Sequence, residues 1–237
     1  MNSSSLASVF VASLSSLALF GCGSSVSDGT GGGGGEGGGE GGGPDVCESY
    51  EDPPQLGAPQ RSVTVRFVND SAADVFLGAV EPGCGVYIPY ALERAGVSVK
   101  PSLDICEFSC GQMMDGQCAC PAACAMPQIT RIVPGGSFEA LWGGMDYEPA
   151  SLPPLCQADG CGGACYLPAL AQGAYTVLGT AHPELGECIP NDTCDCQPDA
   201  SGSCTFSTTM GVAGTPIEAS ATYDFGSGAE VVELRFE

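Results

Sequence analysis

The chain has 237 residues, with 6 Lys and Arg against 28 Asp and Glu, giving a net charge of −22. Such a surface repels nucleic acid and anionic lipid headgroups, so neither is expected as a direct partner. One histidine, one lysine and no C-x-x-C pair leave little material for a histidine-based triad, a Ser-Lys dyad or dithiol redox chemistry.

Residues 6–20 are apolar and uncharged, but 15 residues are fewer than a membrane-spanning helix requires. They fit the apolar segment of a secretory signal peptide, expected over 1–21. The segment ends in Leu19-Phe20-Gly21-Cys22, an aliphatic residue, a variable one, a small one and a cysteine. This resembles the lipobox of bacterial lipoproteins. The resemblance implies cleavage before Cys22, diacylglyceryl transfer to its thiol and acylation (typically palmitate) of the new amino terminus. It also implies outer-membrane sorting, since Gly23 rather than Asp follows the lipidated residue. Two or three acyl chains hold firmly, because each buried methylene contributes about 0.8 kcal/mol. Behind Cys22, 12 of the 15 residues from 29 to 43 are glycine. A run with nothing to bury and a high ordering entropy is expected to form a disordered tether, here over 22–46.

With Cys22 set aside, 14 of the 15 cysteines remain, an even number. Cys47 and Cys84 stand alone. Cys106, Cys110, Cys118, Cys120 and Cys124 form a first cluster, Cys156, Cys161 and Cys165 a second, and Cys188, Cys194, Cys196 and Cys204 a third. The first two clusters are odd in number, so neither closes on itself, and bridges must join separate segments. Cys118 and Cys120 are too close in sequence to bond each other. Structural disulfides in an oxidising compartment are the expected use, and the pairing is not readable from spacing.

Within 47–237, read as a single domain, apolar residues alternate and Gly and Pro recur. The stretch 62–68 (SVTVRFV) places Val63, Val65 and Phe67 on one face, the period of a half-buried strand. Short strands are predicted in turn at 75–80, 85–89, 97–100, 129–133, 137–142, 174–181, 204–210, 217–225 and 230–236, with one helical turn at 90–95. The last strand aligns Val232, Leu234 and Phe236. This is an all-β sandwich, with cysteine-stapled insertions at about 102–126, 153–165 and 186–204. Trp142-Gly143-Gly144 and Gly173-Ala174-Tyr175, separated by a long loop, resemble the hairpin of many bacterial immunoglobulin-like modules. There the Trp and Tyr are packing residues, so the resemblance implies an immunoglobulin-like fold and no activity.

Candidate chemistry is sparse. His182 sits at a strand end beside proline, and Lys100 has no surrounding motif. Asp192, Asp195 and Asp199 offer oxygen ligands for calcium, but their spacing lacks the EF-hand pattern and the stretch reads first as a solvated acidic turn. Asn191-Asp192-Thr193 matches a glycosylation acceptor that a bacterial lipoprotein would seldom use. Met113-Met114 reads as a mobile loop tip ahead of a soft-metal site. No cofactor and no catalysis are expected. The expected role is a lipid-anchored extracytoplasmic structural or binding module that presents its stapled loops to a protein or glycan. The alternatives are a protease-inhibitor-like protein acting through a cysteine-rich loop and, behind it, a carboxylate-based hydrolase.

Overall fold

The computed structural model describes residues 46–53, 61–79, 86–124, 126–187, 195–209 and 211–237. The lipobox with Cys22, the glycine run, Cys84, Cys188, Cys194 and Asp192 lie outside them.

Alternation decides the first element. In β1 (Val63–Asn69), Val63, Val65 and Phe67 are fully buried, while Thr64, Arg66 and Val68 are only partly covered. The same period in β14 (Val231–Phe236) buries Val232, Leu234 and Phe236. The two strands pair in parallel, and β6 (Ser137–Trp142) pairs antiparallel with the other edge of β1. On the outer side of this three-stranded sheet, Arg66 lies between Glu139 and Glu233, an exposed ion-pair row of small energetic weight.

A seven-stranded sheet faces it. Its centre is β9 (Ala174–His182), the longest strand, whose Tyr175, Val177, Gly179 and Ala181 point into the core. One edge of β9 pairs along its length with β13 (Ile217–Asp224). The other edge is shared by β2 (Val75–Leu77) and β3 (Tyr90–Arg94). From β2 the sheet continues to β5 (Gln128–Ile132) and β11 (Ser203–Ser207), and from β3 to β4 (Val97–Val99). The buried side chains of both sheets form one hydrophobic cluster that includes Phe67, Leu77, Leu92, Ile132, Trp142 and Leu234. The fold is therefore an all-β sandwich. A short ribbon of β10 (Glu184–Leu185) and β12 (Val212–Ala213) lies beside it.

Gly179 shows how closely the sheets approach. A Cβ there would lie 2.8 Å from Leu234 Cδ1 and 3.2 Å from Phe67 Cε1. Gly179→Ala is accordingly expected to destabilise by about 1–3 kcal/mol through overpacking. An unchanged urea midpoint for that variant would contradict the packing described.

Several elements differ from the sequence reading. Residues 90–94 form strand β3 instead of a helical turn, because Tyr90 and Leu92 fill the core beneath the free edge of β9. The turn to β4 is Ala95-Gly96, both with positive φ (52° and 78°), the hand that a two-residue hairpin requires. Of the predicted strand at 85–89, the described residues 86–89 are irregular. Trp142 and Tyr175 do meet, edge to face at 4.9 Å between ring centroids, but they belong to opposite sheets and not to one hairpin. The long loop between them contains its own hairpin, β7 (Met145–Ser151) with β8 (Ala164–Leu170). Met113 and Met114 are also not at a loop tip. They lie in α1 (Cys110–Met114), started by a capping box in which the Ser109 hydroxyl accepts from the Gln112 N–H and the Gln112 side chain accepts from the Ser109 N–H.

Helix α1, the β7–β8 hairpin and residues 47–50 enclose a second, smaller core. Its buried members are Cys110, Met113, Leu152, Cys156 and Cys165. Three disulfides run through it: Cys47–Cys156, Cys110–Cys165 and Cys118–Cys161, spanning 109, 55 and 43 residues. Cys106–Cys120 and Cys196–Cys204 close shorter loops, and Cys124 is also disulfide-bonded. Every member of the second cluster bonds outside that cluster, and Cys118 and Cys120 take separate partners. A framework of this density belongs to an oxidising, extracytoplasmic compartment. Among the described residues, no helix is long and apolar enough to cross a membrane.

Candidate functional site

The β7–β8 register sets the site. Each strand carries a Tyr-x-Pro tripeptide, Tyr147-Glu148-Pro149 and Tyr166-Leu167-Pro168. Antiparallel pairing brings Tyr147 opposite Pro168 and Pro149 opposite Tyr166. The four side chains thus interleave on one face of the ribbon, since residues two apart in a strand share a face. The prolines forgo ladder bonds that an outer ribbon can spare.

Two adjoining clefts use this face. The first, about 300 Å³, is lined by Tyr147, Pro149 and Tyr166, by Tyr90 and Val99 of the sandwich, and by Lys100 and Glu107. The second, about 450 Å³, runs on past Tyr147 and Pro168 toward Asp52, Ile105 and Phe108. Ser102, Asp104, Glu107 and Tyr147 line both, so the clefts form one groove.

The charged groups in the groove are held together. Lys100 Nζ lies 3.0 Å from Glu107 Oε1, and its ammonium sits over the Tyr166 ring, 5.7 Å from the centroid. The Tyr166 hydroxyl donates to the same Glu107 oxygen at 3.0 Å. The other Glu107 oxygen accepts from the Asp104 N–H at 2.8 Å. Asp52 accepts from the Ser109 hydroxyl at 2.6 Å, and its second oxygen has no hydrogen-bond partner among the described residues. Burial pushes the Tyr90 phenol well above its usual range. Tyr147 is raised by burial and then by the nearby Asp52 charge. Both phenols therefore stay neutral hydrogen-bonding groups at ordinary pH.

The hairpin that carries the platform is tied at three points, two to the sandwich and one to the segment leading into α1. The Tyr147 N–H donates to the Lys100 carbonyl at 3.0 Å, the Tyr166 N–H to the Phe108 carbonyl at 3.0 Å, and Trp142 Nε1–H to the Met145 carbonyl at 2.7 Å. Between these lies Asp146, with a fully buried side chain. It accepts from Arg94 at 2.8 Å and from the Tyr175 hydroxyl at 2.9 Å. Arg94 also reaches Glu148.

The residues singled out in the sequence fall elsewhere. Asp195 pairs with Arg131, which also holds Asp74. Asp199 accepts from the Ser201 N–H and hydroxyl, which lower its carboxyl below the usual range. Among the described residues no group of three or more His, Cys, Asp and Glu gathers as a metal site. His182 ends β9 opposite Phe76 and does not line the groove. Sequence reasoning took Lys100 only as half of a Ser-Lys dyad and passed over Tyr147, Tyr166 and Glu107. The doubled Tyr-x-Pro was the signal available for them. Comparison of the chain with protein families, with curated proteins and with solved structures finds no match.

Proposed function

We propose that the chain is a non-catalytic recognition module, lipid-anchored at Cys22 outside the cytoplasm and sorted to the outer membrane. In this reading the glycine-rich stretch is its tether, and the groove on the β7–β8 hairpin is its recognition face, presented to a protein or glycan. The observation that carries the reading is the groove itself. Its walls are aromatic rings and prolines on a disulfide-braced hairpin, and its lysine is paired with a carboxylate and a phenol. Rings and prolines set beside fixed polar groups are what a preformed binding cleft uses to hold and orient a ligand. A hydrolase would instead need a carboxylate or nucleophile poised against a base, whereas Glu107 is already engaged by Lys100, Tyr166 and the Asp104 N–H.

Intact mass of the mature protein, with and without reduction, tests the anchor and the framework together. The expected mass starts at Cys22, carries acyl chains and rises on reduction by two hydrogens per bridge. Cys22→Ser is expected to move the protein from the membrane fraction to the soluble one. Retention of that variant in the membrane would overturn the anchor. The recognition role is tested separately against a panel of serine, cysteine and metalloproteases. Inertness or slow cleavage is expected, and stoichiometric inhibition would favour the inhibitor reading instead.

A further inference from the structure

We propose that the groove selects a cationic, extended polypeptide segment, with a lysine or arginine side chain of the partner entering between the tyrosine rings and the carboxylates. This deepens the recognition reading and rests on it. The groove is charge-biased: Asp52, Asp104 and Glu107 line it against a single cation, Lys100. Lys100 also shows that the groove accommodates a cation, since its ammonium rests over Tyr166 and against Glu107. Tyr147 and the carboxylates of Asp104 and Asp52 line the same groove, so an incoming cation would lie near an aromatic ring and acidic groups there as well. Ring faces attract a cation, and more strongly where water is partly excluded. The aliphatic stem of a Lys or Arg matches the apolar part of the lining.

Shape favours a polypeptide over a small amine. The two clefts continue one another past Tyr147, and the exposed apolar residues Val86 and Ile105 line the first and the second respectively. A chain with a charged side chain and apolar neighbours would use all of that length. The net charge of −22 adds long-range attraction for such a partner, and salt screens this part first. The specific contribution is what survives at physiological ionic strength.

The test is fluorescence anisotropy of fluorescein-labelled, end-capped tetralysine titrated with the oxidised full-length chain at 25 and 150 mM salt. Saturable binding is expected at both. Asp104→Asn and Asp52→Asn are each expected to weaken it at 150 mM salt by about fivefold or more, as is Tyr147→Ala. Glu218→Gln, on the outer side of β13, should change it by less than twofold. Near-ultraviolet circular dichroism of each variant confirms that the fold is retained. Equal weakening by Glu218→Gln overturns the proposal, because attraction to the acidic surface as a whole would then explain the binding. Absence of saturable tetralysine binding also overturns it. If cellotetraose then binds and Tyr147→Ala abolishes that binding, the recognition module stands and its ligand is a neutral glycan. If neither probe binds, the recognition reading loses its groove as well.

Discussion

Replacing Cys110 and Cys165 together by alanine is expected to lower stability by about 4 kcal/mol and to loosen one half of the molecule far more than the other. The magnitude follows from the loop and the packing. The bridge spans 55 residues, but Cys118–Cys161 already ties that segment. The loop newly closed is on the order of a dozen residues, and its entropy is worth about 3 kcal/mol. The lost packing of two buried sulfurs accounts for the rest. The Cys196–Cys204 bridge spans only 8 residues, so its loss is expected to cost about 2–3 kcal/mol. The asymmetry follows from what surrounds each bridge. The main core is a cluster of Val, Leu, Phe, Tyr and Trp that needs no cystine. Three of the five buried residues of the smaller core are cysteines. Without the Cys110–Cys165 bridge, little apolar area remains to order α1 against the hairpin. Hydrogen exchange should therefore quicken in α1, β7 and β8 while β1, β9 and β14 stay protected. Uniform acceleration, or a stability loss no greater than that of the Cys196→Ala/Cys204→Ala pair, would contradict a two-core molecule.

The parts legible in the sequence are those whose structure is dictated locally. Strands β1 and β14 were plain because each residue declares its face, and the predicted edges of β6 coincide with the observed ones. Strand β3 was hidden because Tyr-Ala-Leu-Glu-Arg is rich in good helix formers. Its state is set by the vacant edge of β9, more than 80 residues away in the chain, and such tertiary context overrides propensity. Ala95-Gly96 concealed the hairpin further, since alanine seldom takes positive φ. Strands β7 and β8 were missed for the opposite reason. Each contains a proline, which counts against a central strand, but these two form a separate two-stranded sheet. The groove had no local signature at all. Tyr90, Lys100, Glu107, Tyr147 and Tyr166 come from separate segments, joined by a register and by bridges that the sequence does not specify.

Asp146→Ala is expected to destabilise by about 3 kcal/mol and to release the hairpin from the sandwich. Asp146 is a carboxylate with no exposed surface. One of its oxygens takes both the Arg94 N–H and the Tyr175 hydroxyl, so a single atom ties β7 to β3 and β9. Breaking a buried pair by removing one partner typically costs about 3–5 kcal/mol, because the other charge is left uncompensated. The lower end applies here, since the Arg94 side chain is 35% exposed and keeps Glu148. The Tyr175 hydroxyl still accepts from the Gln172 N–H but loses the acceptor for its own proton. The contrast that separates charge from packing is Arg94→Met with Asp146→Asn, which removes both charges at nearly constant volume and leaves an amide oxygen to accept from the Tyr175 hydroxyl. That double variant should regain most of the loss, because no uncompensated charge is left buried. In a cycle of Asp146→Asn with Tyr175→Phe, groups sharing one hydrogen bond should couple by about 1–2 kcal/mol. Urea unfolding of each variant reads these values. The tetralysine titration of Asp146→Ala reads the consequence for the groove, where affinity should fall although Asp146 does not line it. Unchanged stability and unchanged affinity together would mean that the hairpin is positioned by its disulfides alone.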